Sequence, residues 1–224
     1  MGGFANNAPI VTDGLVFYVD AGNSKSYPGS GTTWSDLIKE ASGSMSNMDN
    51  TNHSSSNGGI MTFDGSNEHV DIGNPIFFSS SFSCCLFFKT GDSSGNDVFL
   101  GKYDGNTAFW AGTTDSEIVY WQTSSNNITT TTTVTDNTWR MLSLTYDSSS
   151  TSKKMYLNTT LEASATINLN NSNFGSGDIT IGKFGQHPNS FYWGGSIGFL
   201  MMYDKSLSLS EITQNYNALK NRFV

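Results

Sequence analysis

The sequence contains few charged residues, and basic residues are the scarcer kind. Only 13% of the 224 residues are charged, and 11 Lys or Arg against 19 Asp or Glu give a net charge of −8. Nucleic acids and anionic membranes attract clustered basic residues, so this composition argues against both as partners. It is compatible with neutral sugars, with divalent cations, or with solubility alone.

Cysteine is nearly absent, and the two cysteines present are adjacent. Cys84 and Cys85 lie in an apolar segment that predicts a strand, where neighbouring side chains point to opposite faces. A disulfide between them is therefore not expected. We predict that both are small core side chains, and intermolecular bridging is the alternative.

Long apolar runs are also missing. No run approaches the roughly 18 residues that a membrane-spanning helix requires. The first 14 residues have neither the basic nor the apolar region of a secretory signal. We therefore expect a protein that is made in a cytoplasm and has no membrane partner.

About a dozen short apolar or alternating segments are separated by Gly, Asp, Asn and Ser, which predicts an antiparallel sandwich of two sheets. Residues 196–204 are apolar on both faces, which indicates a central strand. Ser208 and Glu211 have the spacing of a capping box and predict the start of a helix. The apolar stripe of that helix comprises Leu209, Ile212, Tyr216, Leu219 and Phe223.

Four further segments carry structural predictions. Residues 1–13 form a polar arm, of the kind that can contact a neighbouring subunit. Residues 59–73 contain two apolar segments around an Asp-Gly turn and predict a hairpin. Residues 38–58 are weakly patterned, and no regular structure is expected there. The threonine run 129–133 predicts a polar outer strand.

Four blocks of the chain carry a family resemblance. Residues 14–37 contain an apolar strand, then D-A-G-N and S-Y-P-G-S-G-T-T-W, and residues 138–158 contain W, T-Y-D and Y-L-N. With 59–73 and 192–220, these blocks resemble laminin-G-like domains of the concanavalin-A-like superfamily, of the kind found in bacteriophage virion structural proteins. The resemblance implies an all-β, two-sheet antiparallel jelly-roll sandwich with one short C-terminal helix, in which a single domain, 14–224, follows the arm.

The resemblance also implies a role. It predicts a non-enzymatic virion protein, displayed on a phage capsid or tail, with neighbouring virion subunits as partners and a homo-oligomeric state. The protein would reach the virion after synthesis in the host cytoplasm. The alternative is a lectin-like carbohydrate-binding module that attaches to cell-surface glycans, and a glycoside hydrolase is a third, less favoured hypothesis.

Candidate catalytic groups are sparse. A retaining glycosidase needs two carboxylates about 5 Å apart on one face, and the E-x-D-x-x-E pattern of hydrolases in this superfamily is absent. Glu68 and Asp71 are three residues apart, which places them on opposite faces of a strand. His53, His69 and His187 are scattered, and no serine lies in a nucleophile elbow. We therefore expect no enzymatic activity.

Sugar binding requires an exposed aromatic ring beside polar groups that form hydrogen bonds. On a strand, Tyr120 and Trp121 face opposite ways, so that one can be core while the other is exposed. Packing within the sandwich is the alternative role for all of these aromatics. The candidate sugar contacts in the middle segment are Tyr103, Asp104, Trp110, Tyr120 and Trp121.

Calcium is the one cofactor left open, and no other cofactor is expected. Hard cations bind carboxylates and loop carbonyls, and some laminin-G-like and lectin relatives bind calcium at the rim of the sandwich. Asp64 and Asp104 lie in predicted turns and are the candidate ligands. The alternative is that turn aspartates accept hydrogen bonds from their own backbone.

Overall fold

In the computed structural model, the described residues form two antiparallel sheets that face each other. The structure describes residues 9–39, 42–75, 80–103, 108–123, 126–169, 177–185, 187 and 191–223. Sheet A contains β1 (Leu15–Asp20), β4 (His53–Ser54), β5 (Ile60–Asp64), β7 (Phe82–Lys89), β12 (Arg140–Asp147), β13 (Ser152–Leu157), β14 (Thr160–Thr166) and β16 (Gly194–Tyr203). Sheet B contains β2 (Thr33–Ser35), β3 (Ser42–Ser46), β6 (His69–Asp71), β8 (Asp97–Tyr103), β9 (Ala108–Thr113), β10 (Ile118–Thr123), β11 (Asn126–Thr133) and β15 (Ile179–Ile181).

The order of the strands confirms the predicted sandwich. Sheet A runs β14-β13-β12-β7-β16-β5-β4, and β1 pairs with β16 beyond the end of β5. Sheet B runs β11-β10-β9-β8-β15-β6-β3-β2. The family-like block 138–158 contains β12 and β13, which are antiparallel neighbours.

Aromatic side chains fill the space between the sheets. Phe82 of sheet A contacts Phe109 and Trp121 of sheet B, with ring centroids 6.2 and 6.3 Å apart and planes inclined by 72° and 82°. Such edge-to-face contacts add to the stabilisation from burial itself. A second group joins Phe99 of sheet B to Trp193, with centroids 5.2 Å apart.

Strand β16 separates this core from a second apolar layer. Phe199, Met201 and Tyr203 face the layer beneath the C-terminal helix, while Leu200 and Met202 face the sandwich. The sequence predicts Ile197 on the same face as Phe199, and this prediction is wrong. The pairing register shifts between the two residues, so Ile197 faces the sandwich instead.

The predicted C-terminal helix is α1 (Leu209–Leu219), and the predicted capping box is confirmed. The Ser208 hydroxyl accepts a hydrogen bond from the backbone N–H of Glu211, and the Glu211 carboxylate accepts one from the backbone N–H of Ser208. Ile212 is fully buried, whereas Leu209 is 51% exposed and does not join the apolar stripe. None of the described helices is long and apolar enough to cross a membrane.

Residues 9–13 of the predicted arm pack against their own chain. The Val11 N–H donates to Asn215 Oδ1 at 2.8 Å, and the Val11 carbonyl accepts from the Tyr203 hydroxyl at 3.1 Å. Asp13 forms an ion pair with Lys205 at 2.6 Å. Residues 1–8 lie outside the described residues.

Two predictions of local structure are wrong. Residues 59–73 do not form a hairpin, because β5 pairs with β16 in sheet A while β6 pairs with β3 and β15 in sheet B. The chain passes from one sheet to the other at the Asp-Gly turn. Residues 38–58, for which no regular structure is expected, contain β3 and the two-residue β4. β3 pairs with β2 and β6, and β4 pairs with β5.

The predictions for the cysteines and the threonine run are confirmed. Cys84 faces the sandwich core, Cys85 faces the layer beneath the helix, and both are free and buried. The threonine run lies in β11, the outermost strand of sheet B among the described residues.

The C-terminal end is tied to the first strand by a partly buried ion pair. Both guanidinium NH groups of Arg222 donate to the Asp20 carboxylate, each at 2.8 Å, and one also donates to the Gly58 carbonyl at 3.1 Å. The Asp20 side chain is 8% exposed and that of Arg222 is 23% exposed. Removing the arginine would leave a buried carboxylate without its counterion.

We therefore expect Arg222→Ala to lower the free energy of unfolding by about 3 kcal/mol. Asp136→Asn is the control, because it removes the charge of an ion pair with Arg140 at a carboxylate whose side chain is 48% exposed. The control should cost less than about 1 kcal/mol. Urea unfolding of both variants measures this difference, and equal costs would contradict the assigned role of Arg222.

Candidate functional site

The alternation of side chains in β9 and β10 builds a polar and aromatic surface on the outer face of sheet B. Phe109 and Trp121 point into the core and are fully buried. Their neighbours Trp110, Tyr120 and Gln122 point outward, and the register places Gln122 directly opposite Trp110.

These outward side chains form a hydrogen-bonded unit around one aromatic stack. The rings of Trp110 and Tyr120 are stacked, with centroids 4.6 Å apart and planes inclined by 23°. Gln122 Oε1 accepts from Trp110 Nε1 at 2.9 Å and from the Tyr120 hydroxyl at 3.3 Å. Asn127 of β11 donates to the same hydroxyl at 2.7 Å. We call Trp110, Tyr120, Gln122 and Asn127 the outer-face platform.

The segment after β15 adds more aromatic side chains beside the platform. It crosses β8 at Gly101, where a Cβ atom would lie only 2.7 Å from the Lys183 carbonyl oxygen, so glycine is required for this close approach. The Thr180 hydroxyl donates to that same carbonyl at 2.6 Å and fixes the segment. Phe184 is thereby held with its ring centroid 5.8 Å from that of Trp110.

His187 and Phe191 extend this aromatic group. The His187 ring stacks on Phe184, with centroids 5.0 Å apart and planes inclined by 16°, and its centroid lies 5.2 Å from that of Phe191. Tyr103 contacts both Phe184 and His187, at 5.3 and 4.7 Å between centroids.

A small cavity opens between the platform and this segment. Its volume is about 200 Å³. Of the five described side chains that line it, four are aliphatic or aromatic and one is an amide. The lining residues are Asn96, Val98, Trp110, Phe184 and Phe191. We call this space the apolar cavity.

The predicted sugar contacts are therefore only partly brought together. Tyr103, Trp110 and Tyr120 lie in this surface region. Trp121 is removed from the set, because its fully buried ring packs between the sheets. Asp104 lies outside the described residues. From the sequence, His187 is one of three scattered histidines and Phe184 has no expected role. In the structure, His187 lies beside this surface on the buried ring of Phe184, which in turn contacts Trp110.

A buried lysine supports the hairpin that carries the platform. Lys153 of β13 crosses the sandwich, and its amine donates to the carbonyls of Trp121 and Asn126 and to the Thr123 hydroxyl at 3.0–3.1 Å. It also lies 4.4 Å from the centre of the Trp121 ring. Burial lowers the pKa of the Lys153 amine to about 7. The amine thus joins sheet A to the ends of β10 and β11.

The described residues offer little support for a metal site at Asp64. Its carboxylate accepts hydrogen bonds from the backbone N–H groups of Ser66 and Asn67, as expected for an aspartate that stabilises a turn. Within the described ranges, no three His, Cys, Asp or Glu side chains are grouped to hold a metal ion.

Asp97 lies near the apolar cavity and has an unusual environment for an acidic group. One of its carboxylate oxygens is buried and has no hydrogen-bond partner. Burial, together with the nearby charge of Asp92, raises its pKa from 3.8 to about 7, although the Gly194 N–H favours the ionised form. Because the folded protein then holds a proton that the unfolded chain releases, stability falls as the pH rises from about 4 to 7.

We expect Asp97→Asn to raise the unfolding midpoint at pH 8 and to change it little at pH 4. The amide cannot ionise, so the cost of a buried charge disappears from the folded state. Urea unfolding of both proteins across this range should show a difference that grows with pH. Asp115→Asn, in an exposed turn, is the control, and a difference that does not vary with pH would refute this account of Asp97.

Solved structures with similar folds include several sialidases and two binding domains. Trypanosoma rangeli sialidase in complex with sialic acid matches with a TM-score of 0.72 at 12% identity, over 97% of this chain and 36% of that one. The binding domain of Paraclostridial Mosquitocidal Protein 1 matches with a TM-score of 0.68 at 15% identity, over 92% of this chain and 52% of that one. Ruminococcus gnavus IT-sialidase CBM40 matches with a TM-score of 0.53 at 17% identity, over 60% of this chain and 82% of that one. These identities establish similarity of fold alone.

The chain spans about a third of the length of the sialidase chains that it matches. No curated protein sequence matches it. The model of a laminin-G-like family in the concanavalin A-like lectin/glucanases superfamily matches residues 64–213. With the two-sheet sandwich and its terminal helix, this match shows that the chain belongs to that family.

Proposed function

We propose that this protein is a non-catalytic carbohydrate-binding module that holds neutral sugars on the outer face of sheet B. The observation that carries the proposal is the half-buried Trp110–Tyr120 stack, which is surrounded by the amides of Gln122 and Asn127. Aromatic rings bury the apolar faces of a sugar, while fixed amides and hydroxyls orient its polar groups.

The chemistry of this surface supports binding rather than hydrolysis. Among the described residues, the outer-face platform and the lining of the apolar cavity contain aromatic, amide and aliphatic side chains and no carboxylate. Hydrolysis of a glycoside by the usual mechanisms needs two carboxylates that flank the bond. The names of the binding domain and of the CBM40 module with similar folds add support from analogy.

The proposed biological setting is the surface of a bacteriophage particle, on the capsid or tail. Its support is the resemblance of residues 14–37, 59–73, 138–158 and 192–220 to phage virion proteins. In that setting the module would contact neighbouring subunits through one surface and a host glycan through the outer-face platform. Detection of the chain in purified particles by mass spectrometry would test the setting, and its absence from particles would exclude it.

We expect Trp110→Ala to weaken glycan binding about tenfold or more, because it removes the largest ring of the outer-face platform. A glycan array with the purified protein would identify the ligand, in calcium and again with chelator. Since the platform contains no carboxylate, binding should persist in chelator. Gln122→Ala should weaken binding with less disturbance of the fold.

Leu161→Ala is the control for these variants, because Leu161 is 50% exposed on β14 of the other sheet. It should bind as the unaltered protein does. Unfolding midpoints must show that the variants remain folded. An array without binding at millimolar glycan, or binding that Trp110→Ala leaves intact, would reject the outer-face platform as the site.

A further inference from the structure

The apolar cavity adjoins the outer-face platform. Trp110 belongs both to the platform and to the cavity lining, so the two are continuous. The volume of the cavity is about 200 Å³. That is below the approximately 300–1,000 Å³ of sites that enclose a whole drug-sized ligand, and it suits a substituent of a few heavy atoms.

The side chains that line the cavity select for a methyl group. Val98 is 1% exposed, and with Phe184 and Phe191 it forms walls that cannot donate or accept hydrogen bonds. A hydroxyl placed among them would lose its bonds to water without replacement, whereas a methyl group gains from burial. A plain hexose, whose substituents are hydroxyls, does not exploit this space.

Among the described residues that line the cavity, the polar side-chain groups are the Asn96 amide and the indole N–H of Trp110, which already donates to Gln122. Asn96 is exposed at the edge of the cavity and can both donate and accept hydrogen bonds. A second amide, with its methyl group among the apolar walls and either its N–H or its C=O toward Asn96, would gain burial and a hydrogen bond together, while its other polar group points away to solvent. The described side chains that line the cavity are uncharged, which disfavours a carboxylate there.

We infer that the apolar cavity receives the acetamido group of a neutral N-acetylated amino sugar whose ring lies on the outer-face platform. The inference rests on the proposed function and specifies its substrate class. It adds Asn96, Val98, Phe184 and Phe191 as residues that determine specificity.

The test compares two disaccharides that differ only at this substituent. N,N′-diacetylchitobiose and cellobiose share one backbone, and the first carries acetamido groups where the second carries hydroxyls. We expect the acetylated disaccharide to bind at least about tenfold more tightly in calorimetric or NMR titration. L-rhamnose, a sugar with a methyl group but no acetamido group, and sialyllactose, which is anionic, complete the series and should bind more weakly.

Val98→Thr is the matched variant, because threonine keeps the shape of valine and places a hydroxyl in the cavity wall. It should reduce the preference for acetamido toward unity by weakening the binding of the acetylated disaccharide. Leu161→Ala, on the other sheet, should leave both affinities unchanged. Trp110→Ala should weaken both ligands together.

The outcomes separate this inference from the proposed function. Equal affinities for the two disaccharides, or a preference for rhamnose or sialyllactose, would overturn the acetamido assignment and leave sugar binding intact. A preference for acetamido that Val98→Thr does not reduce would also overturn it. An absence of binding to every sugar would overturn both proposals.

Discussion

The architecture depends on a strand that must be apolar on both of its faces. β16 lies between the sandwich core and the layer beneath α1, and from Ser196 to Tyr203 each described side chain is buried. Gly198 lets the chain pass beneath Phe223, because a Cβ atom there would be 2.3 Å from that ring. The helix therefore covers part of the outer face of sheet A. Sheet B keeps the part of its outer face that carries Trp110 and Tyr120 available at the surface.

Most of the fold follows from local patterns in the sequence, but strand partners do not. Alternation and turn residues predicted the strands and the capped helix, since both are signals within a few residues. The same signals cannot distinguish a hairpin from a crossing between sheets. Residues 59–73 show the difference, because β5 and β6 each find their partners far away in the chain. A simple alternation of side chains along the strand likewise does not predict the bulge beside Gly198.

The site was predictable only in part, for a similar reason. The alternation of β10 required Tyr120 and Trp121 to face opposite ways, but burial decided which of them lies outside. Phe184 and His187 reach the surface region because the chain crosses β8 at Gly101, a contact between distant segments. The most specific motif of the sequence, within 14–37, supplies buried residues such as Trp34, so it reports the family rather than the ligand.

A titration of the protein with a glycan that it binds, followed through the indole N–H signals of its five tryptophans, would show whether the sugar lies on Trp110. The Trp110 signal should shift, because its ring belongs to the outer-face platform. The signals of the buried Trp34, Trp121 and Trp193 should stay in place. A glycan that binds while Trp110 remains unmoved, or that shifts Trp139 beneath the helix instead, would contradict a site on Trp110.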